Sequence, residues 1–292
     1  MSFLLPVRWT AVAAGPPPTP ISITPPQGDL VLSTTEPYVF HQHQFNIVNC
    51  SVVGSLASNH ITVQLNAYNG RSAPAVSNLR TNIRTSDFYG GVYAVFVEYD
   101  QTIDLDDLQY RDTSTAGVGW SGTSPTISYV NNNDHYSASM TSSAPLAGYG
   151  TDNYVADSYP IPTENVITVG PAGSGKMYTT VIDAYNAASD GDNIVIYPKG
   201  SPYFEGTAFQ ADVIVPPTLA EGITKSVSFW GSTQNPYDVE VHVGNPPADW
   251  CGICFNLAGR DQAWWNHVPG VYHIRWLFGG ALPNSHAIYV GT

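Results

Sequence analysis

The segment from Thr168 to Gly206, TVGPAGSGKMYTTVIDAYNAASDGDNIVIYPKGSPYFEG, constrains the fold of this chain more than any other. Gly170, followed after four residues by Gly175 and Lys176, matches most of a phosphate-binding loop, and a strand-like run precedes it. In such a loop the next residue brings a hydroxyl to Mg²⁺, whereas Met177 carries a thioether, a poor ligand for a hard cation. The sequence therefore disfavours a nucleotide site here.

The same segment also predicts a short helix, a turn and a strand. Apolar side chains within residues 181–188 share one face of a helix, and Thr180 is suited to its N-cap. Residues 190–192, Asp-Gly-Asp, favour a tight turn. Residues 194–197 are β-branched and aromatic, which predicts a strand that ends at Pro198.

This order of elements resembles the start of a right-handed parallel β-helix of the pectin-lyase-like superfamily. The residues that carry the resemblance are Gly175, Tyr178, Thr179, Thr180, Ile182, Ala184, Ala187, Ala188, Asp190, Gly191, Asp192, Ile194, Ile196, Gly200, Tyr203 and Glu205. In that superfamily the helix covers the open end of the first coil. The resemblance therefore implies a capped β-helix, and it is informative about fold rather than activity.

Composition favours many short strands over long helices. Of 292 residues, 26 are glycine and 23 are proline, and only 11% are charged, against roughly 25% in ordinary domains. A chain of this length is long enough for two domains. The predicted fold class is all-β, with an N-terminal β-sandwich or jelly-roll-like domain followed by the capped start of the β-helix.

Three regions are predicted along the chain. Residues 1–28 are rich in proline and read as an extended arm, either a disordered tail or a partner-binding segment. Residues 29–158 contain alternating strand-like runs and are predicted to form a sandwich-like docking domain. Residues 159–292 would hold the capping helix and the first coils.

The end of the chain in a strand-like run carries an expectation about assembly. An open coil end exposes backbone groups that another surface must cover. Either the β-helix continues beyond Thr292, or other subunits close it, and we expect a homo-oligomer, most simply a trimer.

Charge limits the class of partner. The chain has 10 basic and 23 acidic residues, a net charge of −13, which disfavours nucleic-acid binding because that needs basic patches. The sequence contains no run of eighteen apolar residues, so it predicts no membrane-spanning helix. The N-terminus lacks the basic region of a typical signal peptide.

The sequence Trp250-Cys251-Gly252-Ile253-Cys254 resembles a thioredoxin redox motif. That chemistry requires a helix after the first thiol to lower its pKa, and the following residues here are strand-like. The favoured interpretation is that Cys251 and Cys254 are small buried residues of a strand. A redox pair, or a metal pair completed by His242 or His267, is less favoured.

Two further groups could bind cations. His41 and His43 alternate on a strand and could supply two metal ligands, but a third is not evident. Five aspartates lie close together in the sequence YDQTIDLDDLQYRD, and an acidic surface loop is favoured over a calcium site. They are Asp100, Asp104, Asp106, Asp107 and Asp112.

The candidate contact residues are tryptophans. Trp250, Trp264, Trp265 and Trp276 concentrate aromatic surface near the end of the chain, where they could stack on glycans or contact another subunit. Core packing is the competing role for these rings. No catalytic, cofactor-binding or metal-binding residue is predicted, and no cofactor.

The resemblance to a capped β-helix, together with the low lysine content and the strand-rich region before the cap, implies a structural virion protein rather than an enzyme. The expected role is a phage tail spike, tail fibre or capsid appendage that docks through its N-terminal domain to other virion proteins and contacts host surface polysaccharide. The alternatives are a polysaccharide lyase or depolymerase of the pectin-lyase-like type, and a secreted adhesin or surface-layer protein. The expected location is the virion, or else the cell surface or the medium.

Overall fold

The computed structural model defines the strand-forming part of the chain and its capping helix. It describes residues 43–54, 61–67, 76, 79–98, 101–113, 116–121, 126–137, 160–205, 222–243, 251–257, 259–278 and 286–291. All of these belong to one compact unit, Gln42–Thr292. The predicted arm (residues 1–28) and the predicted domain boundary at residues 158 and 159 lie outside the described residues.

Strands predominate, which confirms the all-β class. They are β1 His43–Val48, β2 Ser51–Val53, β3 Ile61–Ala67, β4 Leu79–Arg84, β5 Asp87–Tyr89, β6 Tyr93–Glu98, β7 Thr102–Thr113, β8 Ala116–Ser121, β9 Thr126–Ser137, β10 Val166–Val169, β11 Asn193–Ile196, β12 Tyr203–Phe204, β13 Ser228–Gly231, β14 Glu240–Val243, β15 Cys251–Asn256, β16 Gly270–Tyr272, β17 Arg275–Phe278 and β18 His286–Gly291. The helices are α1 Val181–Ala187 and α2 Gln262–Trp265, with a 3-10 turn at Pro236–Asp238.

The strands form two sheets, and every pair among the described strands is parallel. The larger sheet has 13 strands in two limbs joined by the long strand β7. The first limb runs β10-β11-β13-β16-β1-β4 and the second runs β12-β14-β17-β2-β5. The smaller sheet has the order β15-β18-β3-β6-β8.

Most of the chain visits these three rows of strands in the same order, although the consecutive strands β10 and β11 lie side by side in the first limb. β13, β14 and β15 lie in the first limb, the second limb and the small sheet, and β16, β17 and β18 repeat the cycle one strand further along. The next strands in space come from the other end of the sequence, because β16 pairs with β1, β17 with β2 and β18 with β3. We call this meeting of distant segments the junction.

One hydrophobic core fills the space inside the three rows. Alternate residues of each strand point inward, so Ile47, Val271 and Phe229 occupy neighbouring positions on the first limb and are fully buried. Phe45 and Phe255 approach from different sheets, with ring centroids 4.8 Å apart. Burial of these side chains provides the main stabilisation of the fold.

Matching corners connect the first limb to the second. Asn49, Thr85 and His273 follow β1, β4 and β16 directly, and each has a positive φ, between 47° and 56°. Left-handed backbone at the same place in successive cycles turns the chain by the same angle. Across the junction, Asn49 Nδ2 lies 2.9 Å from His273 Nδ1, so the corners also contact each other.

The predicted N-terminal sandwich is wrong for the described residues. A sandwich or jelly roll is built from antiparallel strands, whereas β1 to β9 pair in parallel and share both sheets with the later strands. Alternating apolar residues occur in either kind of half-buried strand. Alternation therefore fits an antiparallel sandwich and a parallel sheet equally well. The two folds differ in which strands pair and in which direction.

Three local predictions also need correction. The acidic segment expected to be a loop lies mostly in β7, with Ile103 and Leu105 buried on its inner side. Residues 131–134, Asn-Asn-Asn-Asp, have a composition that favours a turn, but they lie within β9. Residues 272–276, Tyr-His-Ile-Arg-Trp, have the composition of a single strand, but the corner at His273 divides them between β16 and β17.

Candidate functional site

The glycine-rich turn before α1 is not arranged as a phosphate site. Gly170 N donates to Tyr178 O and Tyr178 N to Thr168 O, so the turn closes on itself ahead of the helix. Lys176 Nζ lies 3.5 Å from the centre of the Tyr197 ring. Met177 is exposed to solvent. The lysine thus makes a cation–π contact within the protein.

A carboxylate already occupies the N-terminus of α1. Glu205 Oε1 accepts from Val181 N at 2.8 Å and Glu205 Oε2 accepts from Ile182 N at 3.0 Å. Thr180 Oγ1 accepts from Asp183 N, as its predicted N-cap role requires. Burial raises the pKa of Glu205, and the two backbone donors oppose that rise. The backbone N–H groups of Val181 and Ile182 at the start of α1, which could otherwise bind an anion, therefore already donate to a carboxylate of the same chain.

Replacing Glu205 should destabilise the capped end. In Glu205→Ala, one buried and one partly buried backbone donor lose their acceptor, and we expect a loss of about 2 kcal/mol in the free energy of unfolding. Glu205→Gln keeps one acceptor oxygen and should lose about half as much. Urea denaturation of both variants checks this, and equal stability of Glu205→Ala and the wild type would contradict the capping role.

The structure places the described candidate tryptophans inside the protein. Trp276 is fully buried and Trp264 and Trp265 are 5% exposed, while Trp250 lies outside the described residues. Trp264 Nε1 donates to Thr224 O at 2.9 Å, and the Trp265 ring packs against His43. Core packing, the competing role, fits this burial, and the three buried rings offer no face to a sugar.

Strand geometry separates the two cysteines of the CxxC sequence. Cys251 and Cys254 both belong to β15, and residues three apart in a strand point to opposite faces. Cys254 is buried. The side chain of Cys251 is outside the described part. A dithiol pair at this position is therefore incompatible with the strand.

The other candidate ligands do not come together. Asp104 forms an ion pair with Arg80, with Nε to Oδ2 at 2.5 Å. Asp100 and His41 lie outside the described residues, as do the side chains of Asp106, Asp107 and Asp112. In the part of the chain that is described, no group of three or more His, Cys, Asp or Glu side chains could hold a metal ion.

A buried polar cluster lies between β13 and the turn that follows α2. His267 Nε2 is 3.1 Å from Ser228 Oγ. Ser228 Oγ donates its one proton to Asn193 Oδ1 at 2.8 Å and accepts from Trp230 Nε1 at 2.9 Å. His267 must then donate from Nε2, which fixes its tautomer. Ser228 is fully buried, so this serine–histidine contact has no access to a substrate.

His267 should make stability sensitive to acid. Burial lowers its pKa to about 4, although Asp192 and Asp190 oppose the shift. As the pH falls from about 6.5 to about 4, the unfolded chain gains a proton that the folded protein does not, so stability is lost across this window, by about 1–3 kcal/mol. His267→Gln should remove that part of the pH dependence. Urea denaturation at several pH values checks this, and identical slopes for both proteins would contradict it.

The strongest candidate for an interaction site is a row of outward-facing side chains on the second limb. Phe204, His242, Leu277, Val53 and Tyr89 occupy paired positions on β12, β14, β17, β2 and β5. Their chain neighbours, such as Tyr203, Trp276 and Phe88, are buried in the core. We call this row the outer column.

Exposure of the outer column is greatest at its ends. Phe204 is 70% exposed and Tyr89 is 36% exposed, and the three residues between them are half-buried. The Phe204 ring meets the His242 ring edge-on, with centroids 5.0 Å apart. Strands in a sheet are about 4.8 Å apart, so the column is about 19 Å long.

Charged groups beside the outer column are paired with one another. Glu240 Oε2 accepts from Arg275 Nη1 at 2.9 Å, and Glu240 Oε1 lies 2.9 Å from His242 Nε2. Further along, Ser51 Oγ donates to Asp87 Oδ2 at 3.1 Å. Where β14 and β17 pair, the surface beside the column is therefore polar, and Glu240 and Arg275 balance each other's charge.

Sequence reasoning missed the outer column because its residues come from five separate segments. Each residue is an ordinary strand residue in its own segment. The only local signal was Phe204, an aromatic residue that follows inward-facing Tyr203 in a strand and must therefore point outward.

Comparison with families of known proteins, with curated proteins and with solved structures gave no match. Among the described residues, the helices are too short or too polar to cross a membrane.

Proposed function

We propose that this chain is a structural virion protein, a component of a phage tail spike, tail fibre or capsid appendage, whose strands form a right-handed parallel β-helix. The observation that carries the proposal is the repeated cycle of strands through three parallel rows. In a β-helix each coil contributes one strand to each row, and stacked coils form a stiff rod.

The capped end gives a second, independent support. α1 places Val181, Ala184 and Tyr185 against the core, so the helix covers the side of the stack that starts with β10. The resemblance to pectin-lyase-like proteins implies this arrangement. Glu205, the last residue of the resembling segment, holds the helix in place through its two backbone contacts.

Buried side chains on the outward side of the first limb favour stiffness over chemistry. Trp230 and Tyr272 stack with ring centroids 3.7 Å apart and an angle of 1° between planes. Asn46 Oδ1 accepts from Asn82 Nδ2 at 2.8 Å on the next strand, and Asn46 Nδ2 donates to the Tyr272 hydroxyl. Buried polar groups that are paired from strand to strand specify the stacking register.

The assembly state tests this proposal. Native mass spectrometry of the full chain should give a homo-oligomer, most simply a trimer, and electron microscopy should show an elongated particle. Deleting residues 1–28 should abolish docking to other virion proteins if that segment is a partner-binding arm. A stable monomer that depolymerises polysaccharide would overturn the structural role.

A further inference from the structure

We infer that the junction is a contact between copies of this chain, in which residues 43–137 of one copy stack on residues 160–291 of the next. We call the first segment the far half, and the second the capped half because α1 covers its outer end. The inference rests on the homo-oligomer in the proposed function and does not depend on the virion role.

The two halves meet in a single layer of the stack. In each of the three rows, the described strands of the capped half are consecutive and those of the far half follow them. The changes from one half to the other are β16 to β1, β17 to β2 and β18 to β3, one in each row. No described strand of one half lies between strands of the other, so the halves can separate and pair again as units.

The junction is packed like the inside of a protein. Phe45 of the far half and Phe255 of the capped half are fully buried, with ring centroids 4.8 Å apart. Asn46 Nδ2 donates to the Tyr272 hydroxyl at 2.9 Å, and both residues are fully buried. Obligate homo-oligomers associate through surfaces that resemble a core cut in half. The two sides of the junction are surfaces of this kind.

The rest of the described surface offers no comparable area for association. A stable interface buries about 800 Å² on each partner, whereas the outer column is about 19 Å long and one side chain wide. The net charge of −13 also opposes contact between copies through polar surface. The large apolar side chains that are exposed in the described part of the chain lie on β5, β8 and β12 and in the turn before α1; they are Tyr89, Trp120, Phe204 and Met177.

The connection between the halves is long enough for exchange. Residues 138–165 join β9 to β10, which lie at opposite ends of the first limb, about 34 Å apart. A chain of that length can extend to about 90 Å, so it reaches the capped half of its own copy or of a neighbour. The contacts at the junction are the same in both cases. Exchange therefore holds copies together at low cost, and the ring closes when the last far half returns to the first capped half.

Disulfide cross-linking tests the inference. Val53 and Leu277 face each other across the junction on β2 and β17, and both are half-buried. Neighbouring strands are about 4.8 Å apart, a spacing that a disulfide can bridge. The variant Val53→Cys/Leu277→Cys is oxidised with diamide and separated in denaturing, non-reducing gels. Most of the protein should migrate as covalent dimers or larger species, and a product linked only within single chains would overturn the inference.

Co-expression of the two single variants gives an independent readout. Val53→Cys and Leu277→Cys are produced together with tags of different mass. Exchange should yield a covalent species that contains both tags. Its absence would mean that each copy closes its own junction.

Pairs within one half are the matched controls. His242→Cys/Leu277→Cys lies within the capped half and Val53→Cys/Tyr89→Cys within the far half, on the same face and at the same spacing. Both should link within single chains, with the wild type as the blank for the native cysteines. A junction pair that stays unlinked while both controls link would also overturn the inference. If native mass spectrometry shows a homo-oligomer but the junction links only within chains, exchange fails and the proposed function stands.

Discussion

Trp276→Ala is expected to lower the free energy of unfolding by about 3–5 kcal/mol, the usual cost of removing a buried aromatic ring. Trp276 is fully buried, its neighbours across the second limb are Val241 and Val52, and its ring meets Phe229 edge-on at 6.0 Å. It thus contacts both limbs of the larger sheet. Equilibrium denaturation in urea gives the value, and a loss below about 1 kcal/mol would contradict this packing.

Two conservative variants separate ring volume from hydrogen bonding. The indole N–H of Trp276 has no acceptor within the described structure, so Trp276→Phe should cost less than Trp230→Phe. The indole N–H of Trp230 donates to Ser228 Oγ at 2.9 Å and to Asn193 Oδ1 at 3.2 Å. Losing these bonds should add about 1–3 kcal/mol to the cost. The reverse order would show that the polar cluster around Ser228 contributes little.

Gly270→Ala is expected to destabilise the protein by about 3 kcal/mol, because the new methyl group has no room at the junction. A Cβ at this position would overlap the carbonyl oxygen of Asn46 on β1 and crowd the Tyr272 ring. The effect is specific to the pairing of β16 with β1. Without that neighbour, alanine in a strand would be equal to glycine or better.

Gly231→Ala is the control for Gly270→Ala. Its Cβ would overlap the His273 carbonyl oxygen on the corner after β16, so both residues belong to the same half of the chain. Both variants should lose stability in thermal denaturation. A destabilised Gly231→Ala together with an unaffected Gly270→Ala would contradict the junction and leave the rest of the stack intact.

Local signals predicted the capped end well. Thr180 and the apolar stripe gave α1 to within one residue, and Asp-Gly-Asp at residues 190–192 gave the turn before β11. These features depend on neighbours in sequence, since a cap or a turn is specified by a few adjacent residues. The role of Glu205 required the fold, because its partners lie more than twenty residues earlier.

Pairing partners could not be predicted from the sequence. The density of aspartates in this segment predicts an acidic loop, although Ile103 and Leu105 alternate with Asp104 and Asp106 as they do in β7. The contact of Asn46 with Gly270 joins segments more than two hundred residues apart, and alternation within either strand contains no information about the other. The outer column follows from this long-range register and was therefore invisible for the same reason.

The junction also determines the order in which the protein can be completed during synthesis. Strands β1 to β3 leave the ribosome more than two hundred residues before their partners β16 to β18. Until the later strands are made, one edge of each early strand has no pairing partner. Unpaired strand edges can recruit other chains. We therefore expect slow folding and a requirement for chaperones in the cell, both direct costs of contacts so distant in sequence.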